Sequence, residues 1–269
     1  MKVYISIDIE GISGVVRPEQ GTPGNPEYER ARKLMTQEAN AAILGARAGG
    51  ATAIVVNDSH NDMNNLLIDD LDPWADVIFG SPKPFSMMQG LDATFGVAFF
   101  IGYHARAGTQ NAILDHTYSG KHVAHVELNG FPVGETGLNA ALAGYHGVPV
   151  GLVTGDQAAT AEAIALLGPD LHTVTVKHAV GSQAAVCLHP EETQGLIREA
   201  AEQALGSTVA PFRLETPVVL HLRLKSSLMA DYASLIPGSR RLDGYTLEYA
   251  HDDYATVYKV FRAMIKLAS

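Results

Sequence analysis

Asp8 and Glu10 stand two residues apart in the run Ser6-Ile7-Asp8-Ile9-Glu10-Gly11. They close an apolar stretch, Val3-Tyr4-Ile5 and Ile7, that reads as a first strand. Side chains two apart on a strand share a face. Two carboxylates on one face repel each other unless something cationic sits between them. Later strand-like runs also end in acid or imidazole groups: Val55-Val56-Asn57-Asp58-Ser59-His60, then Phe100-Ile101-Gly102-Tyr103-His104. Glu135, in Pro132-Val133-Gly134-Glu135, follows a hairpin signal and opens a helix. Ligands of open parallel sheets bind beyond the carboxyl ends of the strands. Asp8, Glu10, His60, His104 and Glu135 therefore read as the ligands of a metal site.

Three carboxylates and two imidazoles suit Zn²⁺, with Mn²⁺ or Co²⁺ as alternatives, better than they suit Ca²⁺ or Mg²⁺. Five protein ligands are many for one open catalytic ion. They are natural for two ions that share a carboxylate about 3.5–4 Å from each other. Asp8, deepest in its strand, is the expected bridge. Taken singly, each group has a plainer reading. The chain has 11 histidines, so some fall near strand ends by chance. Glu10 or Glu135 alone could be a loop anion or a helix N-terminal acid. Their joint placement at one sheet edge favours the metal site.

His116, in Ile113-Leu114-Asp115-His116-Thr117, lies between the strand that delivers His104 and the hairpin that precedes Glu135. A histidine beside a metal site that does not bind the ion suits acid–base chemistry. The alternative is a surface imidazole paired with Asp115 or a backbone carbonyl. His122 and His125 fall on the hairpin and are expected to face solvent or a neighbouring subunit. Gly11-Ile12-Ser13-Gly14 lacks the spacing of a dinucleotide fingerprint, and no P-loop or Gly-x-Ser-x-Gly elbow is present.

The elements that must carry these groups follow from periodicity and end signals. Asn25-Pro26-Glu27 is a helix start, and the helix runs to a stop at Gly49-Gly50. Thr52 to Asn57 is then a short buried strand, completing a βαβ unit with strands one and two parallel. Further strands are expected at 76–79 and 97–103, a hairpin at 123–133 around Asn129-Gly130, and a helix over 134–145. Strand, helix, strand and helix follow at 148–154, 157–167, 171–177 and 190–205. After a pause at 207–211 come a strand (218–224), a helix (228–235), a strand (246–249) and a last helix (254–267). The fold expected is α/β: a doubly wound, mostly parallel sheet in residues 1–205 and a smaller α/β appendage in 206–269.

Composition narrows the function. The formal charge of −10 argues against nucleic acid, which needs a basic footprint, and against an anionic membrane surface. A lone cysteine, Cys187, excludes an intrachain disulfide and a cysteine-based zinc site. It reads as a small residue leading into a helix rather than as a nucleophile. No secretory signal or membrane-length apolar run is visible, so a cytoplasmic location is expected.

The runs Ser6 to Gly14, Val56 to His60, Lys83-Pro84-Phe85-Ser86-Met87, Gly102 to Ala107 and Pro132 to Ala140 occur together in one order over the first 155 residues. In them the chain resembles the DppA-type, metal-dependent D-aminopeptidases of peptidase family M55. That resemblance implies two zinc ions held by Asp8, Glu10, His60, His104 and Glu135, with Asp8 between them. It implies that His116 is the catalytic histidine. It also implies a homo-oligomer, a decamer of two stacked five-membered rings whose inward-facing sites admit short peptides and exclude folded proteins.

The expected activity is therefore release of the amino-terminal residue of short peptides, with D-residues suggested by the resemblance alone. Two other readings keep part of the argument. One is a two-metal amidase or phosphoesterase, for which Arg106 could bind phosphate. The other is a non-catalytic metal-stabilised ring or peptide-binding protein. Five ligands plus an unligated histidine favour catalysis.

Overall fold

The computed structural model describes residues 1–207 and 209–269. Thr208, within the expected pause, lies outside the described residues. The chain opens with β1 (Lys2–Ile7), α1 (Pro26–Ala48), β2 (Ala53–Asp58), β3 (Ala75–Ile78) and β4 (Val97–Tyr103). Next come β5 (Val123–Leu128), β6 (Phe131–Pro132), α2 (Glu135–Tyr145), β7 (Val150–Asp156) and α3 (Gln157–Leu167). β8 (His172–Gly181), β9 (Ala184–Cys187) and α4 (Pro190–Ala204) complete the first sheet and its helices. The tail adds β10 (Val218–Leu224), α5 (Ser227–Ala233), β11 (Arg240–Arg241), β12 (Thr246–His251) and α6 (Tyr254–Leu267).

α1 starts where its end signals place it. Asn25 accepts a hydrogen bond from the Glu27 amide, Pro26 takes the first position, and Glu27 and Glu29 sit at the positive end of the dipole. Val3, Tyr4, Ile5 and Ile7 are all fully buried, as are the seven residues of β4 and of β7. Strands this apolar on both faces belong in the middle of a parallel sheet with helices on each side.

The first sheet has the order β3-β2-β1-β4-β7-β8-β9. Every neighbouring pair is parallel except β8 and β9. The chain works outward from β1 to β3, then crosses to β4 on the other side of β1. A crevice opens at that reversal, beyond the carboxyl ends of β1 and β4. There the two strand ends approach closely. The Asp8 amide donates to the Ile101 carbonyl (2.9 Å) and the Gly11 amide to the Gly102 carbonyl (2.7 Å). A side chain at Gly11 would strike the Tyr103 and Gly102 backbone, and Gly102 itself adopts φ +68°. Glycine is required at both positions.

The second sheet, β11-β12-β10-β5-β6, is antiparallel throughout. The expected unit of residues 206–269 thus shares its sheet with the hairpin of residues 123–132. α6 covers it with buried Tyr254, Tyr258 and Phe261, and the Tyr254 hydroxyl donates to the Leu138 carbonyl of α2 (2.9 Å).

Two strands escaped the sequence reading. β11 is only two residues long. β9 is a short antiparallel return beside β8, so Cys187 ends a strand opposite Lys177 rather than leading into a helix. Lys177 itself is fully buried. Its ammonium donates to the carbonyls of Glu10 (2.6 Å), Ile12 (2.8 Å) and Val15 (2.5 Å), using all three protons on the loop after β1. Glu38 holds the same loop from the other side by accepting from the Ser13 amide (2.8 Å). Lys177→Met should strand three carbonyls and cost about 3–5 kcal/mol of stability. Chemical denaturation of the ion-free protein checks this, and a loss below 1 kcal/mol, roughly the scale of an ordinary single hydrogen bond, would contradict it.

Candidate metal centre

Asp8 follows β1, His60 follows β2 and His104 follows β4, so the crevice at the strand reversal receives all three. Glu135 arrives on the first turn of α2. Glu10 projects from the loop that Lys177 clamps. Asp8, His60, His104 and Glu135 are buried, and Glu10 and His116 are half-buried. The structure brings all six sequence-predicted residues to one wall of a cleft of about 750 Å³, and all but His104, which lies behind, line it.

Each imidazole is tethered in the same way. His60 Nε2 faces the Gly21 carbonyl (2.7 Å), His104 Nδ1 the Ala105 carbonyl (3.0 Å) and His116 Nδ1 the Leu114 carbonyl (2.8 Å). A carbonyl only accepts, so these nitrogens carry the protons. The other nitrogen of each ring turns toward carboxylates. His60 Nδ1 lies 3.2 Å from Asp8 Oδ1 and 2.9 Å from Glu10 Oε2. His104 Nε2 lies 3.5 Å from Asp8 Oδ2 and 3.4 Å from Glu135 Oε1. His116 Nε2 lies 3.8 Å from Glu135 Oε1, and its ring stacks on His104 with centroids 4.0 Å apart.

A metal ion fits this arrangement. Glu10 Oε2 and His104 Nε2 are buried without a hydrogen-bond partner, although acceptors and rings crowd around them. Two overlapping groups, Asp8–Glu10–His104 and His104–His116–Glu135, each have one donor atom per residue, all within 4.8 Å of one another. Carbonyl-tethered imidazoles are the usual way a protein orients metal ligands.

Electrostatics say the same. Burial, then the Glu10 charge, pushes the Asp8 carboxyl up to about 8. Burial works against a charged His104, but Glu135 and Asp8 outweigh it and raise that imidazole to about 10. His60 is likewise raised despite its burial, by Glu10 and Asp8. Without an ion, protons therefore do the work of a cation. Zinc must displace them, so its affinity should rise with pH across about 6 to 8, with protons released on binding. Calorimetry in two buffers of different ionisation enthalpy measures the release, and proton-neutral binding would refute it. The ion-free fold has the opposite trend. The raised His104 stabilises it fully below the unfolded value of 6.5, and that contribution is lost as pH rises through about 10.

Groups behind the site were not singled out in the sequence. The buried Asp58 carboxylate accepts from the Asn65 and Leu66 amides (2.5 and 2.8 Å) and fixes the loop that presents His60. Lys83 donates to Asn57 Oδ1 and to the Asp58 carbonyl (both 2.8 Å) at the end of β2. Arg106, weighed as a phosphate ligand, instead pairs with Glu162 at 3.0 Å and does not line the cleft. Asp115 does not pair with His116. Its Oδ2 accepts from the Gly108 amide (2.7 Å).

Buried carboxylates and tethered imidazoles at the reversal point of a doubly wound sheet define a metallohydrolase-type site. The family model for peptidase M55, described as D-aminopeptidase, matches residues 1–263. A D-aminopeptidase of Bacillus subtilis strain 168 is 41% identical over 271 residues, covering 100% of this chain and 98% of the relative. The solved Zn-dependent D-aminopeptidase DppA from Bacillus subtilis, a self-compartmentalizing protease, superposes with a TM-score of 0.96 over 100% of this chain and 98% of its own. The chain belongs to the M55 family of D-aminopeptidases.

Proposed function

We propose that this chain is a zinc-dependent aminopeptidase that releases the amino-terminal residue, preferably a D-residue, from short peptides. The observation that carries this reading is the split of Asp8. Its Oδ1 faces His60 and its Oδ2 faces His104, so one carboxylate serves two half-sites. Asp8, Glu10 and His60 would hold one ion, and Asp8, His104 and Glu135 the second. Bound zinc polarises a carbonyl and makes a water-derived nucleophile available near neutral pH.

His116 completes the chemistry. In the ion-free protein burial, then the His104 charge, lowers its pKa. With Nδ1–H given to the Leu114 carbonyl, the lone pair on Nε2 takes the proton from the attacking water and returns it to the leaving amine. The substrate's free amine binds at the acidic end of the cleft, which restricts cleavage to the first residue.

Residues 1–205 supply every site residue in this reading, and 206–269 form a smaller supporting unit. Phe131, Leu228, Tyr232, Leu235 and Tyr245 expose apolar surface on the second sheet and its helix, consistent with assembly into a decamer of two five-membered rings. Among the described residues no helix is long and apolar enough to cross a membrane, and we place the protein in the cytoplasm.

The test couples metal analysis to hydrolysis of D-Ala- and L-Ala-led peptides, free and amino-terminally acetylated, with and without chelator. Close to two zinc ions per chain, and cleavage of unblocked peptides only, are expected. Equal cleavage of blocked and free peptides would leave a general metal amidase instead. Sedimentation should show a species far above the 28.6 kDa chain, and a fully active monomer would refute the assembly.

A further inference from the structure

Lys121 and Arg262 line the same cleft as the carboxylate centre. Arg17, Arg32, Arg106, Arg223, Arg240 and Arg241 each pair with a carboxylate. Arg262, like Arg30, Arg47, Arg198 and Arg213, has no carboxylate partner among the described residues, and of these five it is the one that lines the cleft, in a chain of net charge −10. Its guanidinium lies over the Tyr118 ring, 4.7 Å from the centroid. That ring is held rigidly. Phe261 meets it edge-on at 5.1 Å, and its hydroxyl bonds to the Tyr258 hydroxyl and donates to Asn139 Oδ1 (3.2 Å). The backbone of the same tyrosine touches the centre, because the Tyr118 amide donates to Glu135 Oε1 (2.6 Å). Arg262 is therefore a planar cation in the same cleft as the carboxylate centre, seated on a ring whose own backbone is bonded to Glu135.

We propose that Arg262, assisted by Lys121, binds the carboxy-terminal carboxylate of a short peptide whose amino end lies at the centre. This rests on the aminopeptidase reading. Such a substrate brings one obligatory anion, at the end opposite its amine, and a guanidinium fork matches a carboxylate with two parallel hydrogen bonds. An extended residue spans about 3.3–3.6 Å, so a cation seated on that ring selects peptides of one length. The Tyr118 platform is thus a ruler for chain length as well as a wall of the cleft.

The test compares D-Ala-D-Ala and D-Ala-D-Ala-D-Ala with their carboxy-terminal amides on the zinc-loaded protein. The free acid of the matching length should have a KM about 10- to 100-fold below that of its amide, with similar kcat. Arg262→Gln should collapse that ratio toward one by raising the free-acid KM, Arg262→Lys should restore part of it, and sedimentation should not change. A wild-type ratio near one overturns the inference without need of any variant. So does Arg262→Gln that keeps the ratio. Either result leaves the aminopeptidase standing. Wild-type protein that cleaves neither acid nor amide would remove both readings together.

Discussion

Replacing Asp8 by alanine should empty both halves of the centre and bring peptide hydrolysis to background. In the proposed two-ion arrangement the Asp8 carboxylate is the group both half-sites share, with Oδ1 3.2 Å from His60 Nδ1 and Oδ2 3.5 Å from His104 Nε2. Loss of a partner that merely orients a ligand costs about 10–100-fold in metal affinity, and loss of a shared ligand should exceed that at each ion. The fold should survive. In the ion-free protein the Asp8 carboxyl is already disfavoured as a charge, held up to about 8 by burial and Glu10, so its removal relieves a strained cluster. Metal analysis after zinc loading and dialysis, alongside denaturation of the chelated protein, separates the two effects. A variant that retains a full zinc complement would sink the bridging role.

The second large effect is expected at His116. Its alanine variant should keep its metal and its fold and lose about 10²–10⁴-fold in kcat, the range of a lost acid–base group. The geometry makes this a sharp test, because His116 Nε2 also lies within ligand reach of His104 and Glu135. Zinc lost along with activity would make His116 a ligand. Unchanged activity would make its bond to the Leu114 carbonyl purely structural.

The strand ends were legible because the chemistry sits where apolar runs stop. Val3 to Ile7 is buried on both faces, so the polar residues that follow can only begin the crevice. Asn25-Pro26 likewise marked the start of α1 by capping alone. What lay hidden was non-local. Nothing in Val123–Leu128 says that its partner is β10, almost a hundred residues on. Lys177 alternates with Val174 and Val176, which reads as a solvent-facing position, yet β9 and the loop after β1 bury it. The carbonyl tethers of the three imidazoles depend on loop paths that no spacing encodes. Arg106 followed a strand end as His104 did, but Glu162 on α3 claims it.

The segment from His104 to Glu135 leaves the first sheet, forms a hairpin in the second, and returns. The hairpin pairs with β10, and Tyr118 leans on Tyr258 and Phe261 of α6. During synthesis from the amino terminus, all six site residues emerge before those partners exist. The arm bearing His116 and Glu135 then has no sheet to join and no helix to lean on. A chain grown only as far as α2 accordingly has the candidate ligands without their geometry, and the centre can close only after β10 and α6 have joined the hairpin.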